Sequence, residues 1–526
     1  MPDWLTARVH ATPKALSLII GEEQWTYAEL ERMVNGMCRR LLDAGVTPGQ
    51  FVGVLMPNSL AYVCLIHTLA RLGAVLVPLN TRLTATELQW QVAHVGCELV
   101  LTDLENVERI TNCEQLIINN EWLYSNDSFT IHNSQFTIHY LQAVVFTSGT
   151  SGKPKGVPLT FNNHFSSAMA SAYRLGVLPD DVWLSCLPLY HVGGLAVIWR
   201  SCLYGTAVNL HPRFILKDIN HALDTLPITL ISLVPTMLHR LLETRSHWPV
   251  SLRLILLGGA TAPTELIEQA NKLPRKWLTV NDQRLMVNET RPPLTINHSQ
   301  LTINHSPPLV ATTYGLTEAS SQVATMPPED VEKKPGSVGK PLLFTRVDIV
   351  DENGRSLPPN EYGEIVVTGP AVMDDYFNNQ QTTDNGQRIT DNNSSLITHH
   401  SSFHTGDIGY LDEDGDLWIV QRRTDLIVSG GENVYPAEVE SALKQHPAVA
   451  NACVVGVADA EWGQRVAAMV QLLPSASLTE ADMLAFSRQQ LAGYKQPRRV
   501  VFVAELPQTA SGKIARRAVA AQLVNE

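Results

Sequence analysis

Residues 144–157 read VVFTSGTSGKPKGV, an apolar run that ends in glycines, hydroxyl residues and two lysines. The run AVVF has the composition of a buried strand. Glycines after a strand let backbone N–H groups approach an anion closely, and Lys153 and Lys155 supply positive charge. Four hydroxyl side chains add hydrogen-bond donors: Thr147, Ser148, Thr150 and Ser151. The stretch therefore predicts a strand that leads into a polyphosphate-binding loop.

The P-loop of nucleoside triphosphatases does not fit this stretch. That pattern requires four residues between its glycines, followed by Lys and then Ser or Thr. Here two residues separate Gly149 from Gly152, and Pro154 follows Lys153. A flexible polar linker is the alternative, although so many donors directly after a buried strand favour a binding loop.

Outward from this loop, helical and extended patterns alternate. WTYAELERMVNGMCRRLLDAGV has a period near 3.6 and ends at Gly45, whereas FVGVLMPNS and VLVPLN are extended. Further buried strands are predicted at residues 182–187, 207–210, 228–234 and 252–257. Such alternation is typical of a mostly parallel sheet covered by helices, so we expect an α/β fold.

The pattern changes near residue 336. Short alternating runs joined by Asn-Gly and Asp-Gly turns predict antiparallel hairpins in a small β-barrel-like subdomain at 336–422. Beyond a boundary near 423–425 the elements are mixed: helix 437–444, strand 449–457, helix 480–491 and strand 499–502. We predict an N-terminal domain at 1–422, with parallel-sheet α/β subdomains, and a mobile C-terminal α+β domain at 425–526.

Three polar segments interrupt this organisation, near residues 116–140, 280–308 and 378–402. Two of them contain heptad-like repeats, FTIHNSQFTIHY and LTINHSQLTINHS, but two units are too few for a coiled coil. We interpret all three as low-complexity insertions into surface loops, because loop-closure entropy grows slowly with length. Their histidines are interpreted as solvated, with a metal site as the alternative: His132, His139, His298, His305, His399 and His400.

Composition excludes several classes of protein. The net charge of −12 argues against nucleic-acid binding and against docking on an anionic membrane. No apolar run is long enough for a membrane span, and MPDWLTARVHATP lacks the pattern of a signal peptide, so we expect a cytoplasmic protein. Seven scattered cysteines without a CxxC pair are interpreted as reduced core thiols. A homodimer is left open.

The glycine-rich loop closely resembles the phosphate loop of the adenylate-forming superfamily, which includes acyl-CoA synthetases, peptide-synthetase adenylation domains and luciferases. Further blocks follow in the order of that family. They are PLYHVGGL at 188–195, GGA at 258–260, TYGLTE at 313–318, TGD at 405–407, RRTDLIVSGGENVYPAEVE at 422–440 and PQTASGKIARR at 507–517. Each block alone is a weak signal, but the ordered set covers nearly the whole chain outside the insertions and is specific.

The resemblance implies an enzyme that adenylates a carboxylic acid with ATP and Mg²⁺ and then transfers it to coenzyme A. Attack on the α-phosphate requires the pyrophosphate charge to be neutralised. Glu318 is expected to ligate Mg²⁺, Thr317 to touch the α-phosphate, and Lys513 to bridge the reacting oxygens. The other ATP-binding residues implied are Thr147, Ser148, Gly149, Thr150, Ser151, Gly152, Lys153, Lys155, Gly258, Gly259, Ala260, Thr313, Tyr314, Gly315, Asp407 and Arg422.

Within that set, Tyr314 and residues 258–260 are expected to enclose adenine, while Asp407 accepts the ribose hydroxyls and Arg422 supports them. Without the resemblance, Lys513 would be interpreted as a solvated lysine and Glu318 as a surface loop residue.

For the second half-reaction the family rotates its C-terminal domain and brings a loop up to the pantetheine of coenzyme A. The resemblance implies residues 429–433, SGGEN, as that loop, with Ser429, Gly430 and Gly431 as its CoA-binding residues. Thr424 and Asp425 are the expected hinge, and Thr424 stands where the family often has Asp or Lys. Gln421 replaces the usual glycine before the ribose arginine.

The acid is indicated by the block PLYHVGGL at 188–195, after its aromatic residue. Peptide-synthetase adenylation domains usually carry an Asp there, whereas this chain has His191. LPLYHVGGLAVIWRSCLYG closely resembles the o-succinylbenzoate–CoA ligases of menaquinone and phylloquinone synthesis, whose substrate has a second carboxylate. The resemblance implies an acyl pocket lined by His191, Arg200 and Gly259, with His191 also a catalytic candidate.

Arg200 is the candidate cation for the second carboxylate, and pairing with a structural acid is its equal alternative. Another acyl- or aryl-acid CoA ligase, or a catalytically silent nucleotide-binding relative, is left open.

Overall fold

The computed structural model describes residues 3–119, 122–123, 141–147, 154–260, 262–276, 309–377, 402–421, 426–474, 476–507 and 514–525. The three predicted insertions fall almost entirely outside these described residues, and the predicted domain boundary and hinge fall outside them altogether.

Several helices begin at side-chain caps that the sequence provides. Thr84 and Glu87 form a capping box, in which each side chain accepts the other residue's backbone N–H, and similar boxes open α2 and α5. The helices are α1 (Trp4–Ala11), α2 (Tyr27–Asp43), α3 (Leu60–Leu72), α4 (Ala85–Val95), α5 (Phe161–Leu175), α6 (Val192–Tyr204), α7 (Leu216–Thr225), α8 (Pro235–Thr244), α9 (Thr264–Lys272), α10 (Pro436–Leu443), α11 (Glu480–Gln490) and α12 (Arg516–Asn525).

The strands before residue 300 are mostly short and buried, as continuous apolar runs predict. They are β1 (Leu16–Ile20), β2 (Glu23–Thr26), β3 (Phe51–Leu55), β4 (Val75–Pro78), β5 (Leu99–Thr102), β6 (Glu114–Ile117), β7 (Leu141–Thr147), β8 (Lys155–Thr160), β9 (Val182–Ser185), β10 (Ala207–Leu210), β11 (Leu230–Leu233), β12 (Trp248–Pro249), β13 (Leu254–Leu257) and β14 (Arg275–Lys276).

The later strands are longer on average and mostly antiparallel. They are β15 (Val310–Leu316), β16 (Ser321–Met326), β17 (Ser337–Pro341), β18 (Arg346–Val350), β19 (Gly363–Thr368), β20 (Ser402–Leu411), β21 (Leu417–Gln421), β22 (Ile427–Ser429), β23 (Glu432–Val434), β24 (Val449–Asp459), β25 (Gly463–Leu472) and β26 (Arg499–Val503).

Two large sheets form the N-terminal domain. One has the order β6-β5-β3-β4-β7-β8 and is parallel except for the β7–β8 pair. The other runs β18-β19-β20-β21-β17-β16-β15-β13-β11-β9-β10-β1-β2, and its stretch from β15 to β1 is parallel. The predicted α/β class is confirmed, as are the antiparallel hairpins after residue 336, which continue the second sheet through β17.

The C-terminal domain has its own sheet, in the order β23-β22-β25-β24, with β26 parallel to β25. Helices α10 and α12 pack on β24, so this domain is α+β, as predicted. The four predicted elements of this domain are all present, with ends that differ by one or two residues.

In each large sheet the parallel strands end at the same edge, and the loops that follow these strand ends reach one region of the molecule. Strand β7 ends at Thr147, β13 ends before Gly258, and β15 leads directly into a 3₁₀ turn at Thr317–Ala319. Ligands of open α/β sheets bind at this edge, because the loops leaving the strands are free to line a crevice. Among the described residues, no helix is long and apolar enough to cross a membrane.

Candidate active site

A cavity of about 850 Å³ lies where these strand ends meet the C-terminal domain. Its wall brings together residues from nearly every block of the sequence. The predicted residues on it are Thr147, His191, Arg200, Gly258, Gly259, Thr313, Tyr314, Gly315, Thr317, Glu318, Asp407, Gly430 and Gly431. The distant blocks therefore converge on one site.

Glu318 is held in the turn at Thr317–Ala319. The hydroxyl of Tyr376 donates to Glu318 Oε1 at 2.7 Å, and the Glu318 carbonyl accepts the N–H of Met373. Ser320 closes the turn in the left-handed region, with φ of 53°. A carboxylate fixed in this way on the cavity wall fits a Mg²⁺ ligand, since Mg²⁺ favours oxygen donors held in strict geometry.

Lys155 lies beside this turn, away from the cavity wall. Its Nζ stands 4.5 Å from the ring centroid of Tyr376, which supports Glu318. A cation over an aromatic face is stabilised by the ring quadrupole. The structure therefore brings Lys155 next to the end of the cavity where the phosphates and Mg²⁺ are predicted to bind.

The predicted nucleoside end contains Tyr314 and Asp407. The Tyr314 hydroxyl donates to Asp407 Oδ2 at 2.7 Å, and Tyr314 is 1% exposed. Gly258 is required here, because a Cβ at this position would stand 2.7 Å from the Thr313 methyl group. Ala260 follows in the same loop but does not form part of the cavity wall.

Helix α6 carries the predicted acyl-pocket residues His191, at its N-cap position, and Arg200. Arg200 is 2% exposed, and among the described residues no carboxylate lies within 4 Å of its guanidinium. Its one hydrogen bond to a described side chain is to Ser167 Oγ, at 3.4 Å. Burial lowers the pKa of Arg200, because a desolvated charge is costly. Pairing with a structural acid, the alternative left open above, is not found in the described part of the chain.

The C-terminal domain closes one side of the cavity with Gly430, Gly431 and Glu432. Glu432 is almost fully buried, and its two carboxylate oxygens lie 2.9 Å from His191 Nε2 and from Arg82 Nη1. Burial raises the pKa of Glu432, but His191 and Arg82 outweigh it and lower the pKa to about 2. Ser429 is buried within β22 and lies off the cavity wall.

A second link between the domains is formed by Lys495. Its buried Nζ donates to Glu87 of α4 and to Glu438 of α10, each at 2.7 Å. Burial lowers the pKa of Lys495, but Tyr494 and the two carboxylates raise it overall, so the ammonium stays charged. Glu87 also accepts the N–H of Ala492 while capping its own helix.

No sequence pattern indicated a role for Arg82, Glu87 or Lys495. The capping-box spacing of Thr84 and Glu87 was visible, but the contacts of Glu87 with the other domain were not. Several predicted residues lie outside the described residues and stay predictions: Ser148, Gly149, Thr150, Ser151, Gly152, Lys153, Arg422, Thr424, Asp425 and Lys513.

Comparison with known proteins identifies the family whose sequence blocks meet at this cavity. The family described as AMP-binding enzyme matches residues 5–280 and 291–377, and its C-terminal domain matches residues 438–513. The chain belongs to the AMP-binding enzyme family. The predicted membership of the adenylate-forming superfamily is thereby confirmed.

Similar members of the family include a 2-succinylbenzoate–CoA ligase of Bacillus cereus, 40% identical over 100% of this chain and 99% of that protein. A double mutant of o-succinylbenzoate CoA synthetase from Bacillus subtilis, bound with a product analogue, is 35% identical over 98% of each chain, with a TM-score of 0.82. The same synthetase in complex with ATP and magnesium is also 35% identical, over 98% of this chain and 99% of that chain, with a TM-score of 0.66. This AMP-binding enzyme therefore resembles the product-analogue complex more than the ATP complex.

Proposed function

We propose that this protein joins 2-succinylbenzoate to coenzyme A in two steps. ATP first converts the acid to an acyl adenylate with release of pyrophosphate, and the thiol of coenzyme A then displaces AMP. The full-length relatives named 2-succinylbenzoate–CoA ligase support this substrate. The observation that carries the proposal in this chain is Arg200, a buried guanidinium without a carboxylate partner among the described residues, on the cavity wall.

The adenylation step uses the strand-end side of the cavity. Mg²⁺ supplies charge neutralisation for the pyrophosphate, and Glu318 is the residue that would hold it. Thr317 and the glycine-rich loop would bind the phosphates, and Asp407 and Arg422 the ribose. Gly258, Gly259 and Tyr314 would enclose the adenine. Lys513 would stabilise the charge that develops on the reacting oxygens.

The acid would lie between His191 and Arg200, with Gly259 leaving room at the reacting end. Its distal carboxylate would pair with Arg200, a match that recovers part of the cost of burying that guanidinium. A monocarboxylic acid would leave the cation buried and unpaired, which disfavours fatty acids and simple aryl acids.

The thioester step fits the domain arrangement described above. Gly430 and Gly431 line the cavity and Glu432 contacts His191, which supports their role beside the pantetheine. The greater similarity to the product-analogue complex supports the same orientation. Thr424 and Asp425 would be the hinge. We place the reaction in the cytoplasm, in menaquinone or phylloquinone synthesis, and a homodimer is compatible with it.

The test is to separate the two steps with purified protein. Pyrophosphate should be released when ATP, Mg²⁺ and 2-succinylbenzoate are supplied without coenzyme A, and added coenzyme A should yield thioester and AMP in equal amounts. Pyrophosphate with other acids only would favour the alternative of a different acyl- or aryl-CoA ligase. Bound ATP without pyrophosphate from any acid would favour a catalytically silent relative.

A further inference from the structure

Behind the acyl end of the cavity, one side chain contacts both Arg200 and the turn that carries Glu318. Ser167 lies on α5 and is buried, at 3% exposure. Its Oγ lies 3.4 Å from Arg200 Nη2 and 2.8 Å from the carbonyl oxygen of Ser320. Ser320 follows the turn at Thr317–Ala319 directly.

These two contacts fix the direction of the Ser167 hydroxyl. A serine hydroxyl has one proton to donate and lone pairs with which to accept. The Ser320 carbonyl can only accept, so it takes the proton, and Ser167 presents a lone pair to the guanidinium. Arg200 therefore receives an oriented acceptor and not a freely rotating hydroxyl.

Ser320, whose carbonyl accepts the hydrogen bond from Ser167, is itself held firmly. Ser320 adopts φ of 53°, its N–H donates to the Thr317 carbonyl, and its hydroxyl donates to the Ala371 carbonyl at 2.8 Å. A left-handed residue other than glycine persists when its surroundings over-determine it. The position of the Ser320 carbonyl, and with it the lone pair offered to Arg200, is thus set by the backbone beside Glu318.

Arg200 depends on this contact to an unusual degree. Its Nε has no hydrogen-bond partner among the described residues, and no carboxylate there orients the side chain. A long side chain without partners samples several rotamers, and each must be frozen out when the substrate binds.

We propose that Ser167 is a positioning residue, which orients Arg200 toward the distal carboxylate and so sets the preference for a dicarboxylic acid. The inference rests on the proposed function. Ser167 touches neither the acid nor ATP in this account and acts through Arg200 alone.

The test compares three variants in the full-length enzyme. S167A removes the acceptor, and R200M removes the cation but keeps an apolar chain of similar length. S171A is the matched control, because Ser171 is buried one turn further along α5 and makes no bond to Arg200 or Ser320 within the described residues. KM for 2-succinylbenzoate, KM for ATP and the melting temperature are measured for each.

S167A is expected to raise KM for 2-succinylbenzoate by about ten-fold and to leave KM for ATP within about two-fold, since a hydrogen bond to a charged group is lost. R200M is expected to raise the same KM further, and S171A to match the wild type. Two analogues that each lack one carboxylate extend the test, namely 4-oxo-4-phenylbutanoate and 2-butanoylbenzoate. Whichever of them the enzyme accepts as a substrate, S167A should leave its turnover unchanged.

The contrary outcomes are distinguishable. If R200M raises KM for the diacid and S167A does not, the role of Ser167 is wrong and the proposed function stands. If R200M leaves KM for 2-succinylbenzoate unchanged, Arg200 does not bind the second carboxylate, and that part of the proposed function is wrong. If S167A raises both KM values equally and lowers the melting temperature, Ser167 has a structural role only.

Discussion

Glu432 of the C-terminal domain lies 2.9 Å from His191 of the N-terminal domain, and the contact joins the predicted CoA loop to the predicted acyl pocket. The same carboxylate binds Arg82, so two N-terminal side chains hold one C-terminal residue. Because these residues belong to different domains, the contact exists only in orientations that bring this loop to the cavity.

Replacing Glu432 with glutamine should slow the thioester step and spare adenylation. The change keeps the size of the side chain but removes the charge that attracts His191 and Arg82. We expect transfer from preformed adenylate to slow by about five- to ten-fold, a moderate effect because His191 is partly exposed. Rapid-quench measurement of each half-reaction tests this, and equal slowing of both would contradict an orientation-specific role.

Glu87→Gln should weaken the other link between the domains. Glutamine still serves at the third position of a capping box, so α4 keeps its cap while Lys495 loses one of two carboxylates. We expect several-fold slower thioester transfer and a lower melting temperature, because the buried Lys495 ammonium keeps only one carboxylate partner. Glu29→Gln is the matched control, because Glu29 holds the same capping position in α2. Equal slowing of thioester transfer in both variants would show that the contact between Glu87 and Lys495 is not the cause.

Gly431→Ala should raise KM for coenzyme A. Gly431 has φ of 84°, and a Cβ there would stand 3.2 Å from a Val234 methyl group at the cavity wall. Gly45 has the same φ of 84°, with nothing within 4 Å of its Cβ position. Both alanine variants should lose about 1 kcal/mol of stability from left-handed strain. Steady-state kinetics should show a CoA defect for Gly431→Ala alone, and a matching defect in Gly45→Ala would refute the steric cause.

Acid should destabilise the protein partly through His164. Burial, and to a smaller extent Arg200, lowers the pKa of His164 from about 6.5 to about 3. Between these values the unfolded chain binds a proton that the folded chain does not. The unfolding free energy therefore falls as the pH drops through this window, by about 1.4 kcal/mol per pH unit.

His164→Phe removes this titration and keeps an aromatic ring near Trp199. Urea unfolding between pH 6 and 4.5 should then depend less steeply on pH than in the wild type, by about 1.4 kcal/mol per pH unit. Identical pH slopes for the two proteins would show that His164 is protonated in the folded state.

Most of the fold could be predicted from the sequence, because its strands are short apolar runs bounded by clear turn residues. Strand β10 was predicted with its observed bounds, and β24 was predicted two residues short, at 449–457. The hairpins were predicted from their Asp-Gly and Asn-Gly turns. The contacts of Glu432 and Lys495 were not predictable, because they depend on how two domains are oriented, and local patterns carry no information about that. Ser167 had no signal either, since a buried serine in a helix is ordinary until its partners are known.

The proposed function depends above all on which acid this AMP-binding enzyme activates. The most direct measurement is kcat/KM for thioester formation with 2-succinylbenzoate, benzoate, a medium-chain fatty acid and acetate, at saturating ATP, Mg²⁺ and coenzyme A. We expect 2-succinylbenzoate to be preferred by at least about 100-fold, because only that acid offers Arg200 a second carboxylate. Equal or greater kcat/KM for a monocarboxylic acid would show that the cavity binds a different acid and that 2-succinylbenzoate is not the substrate.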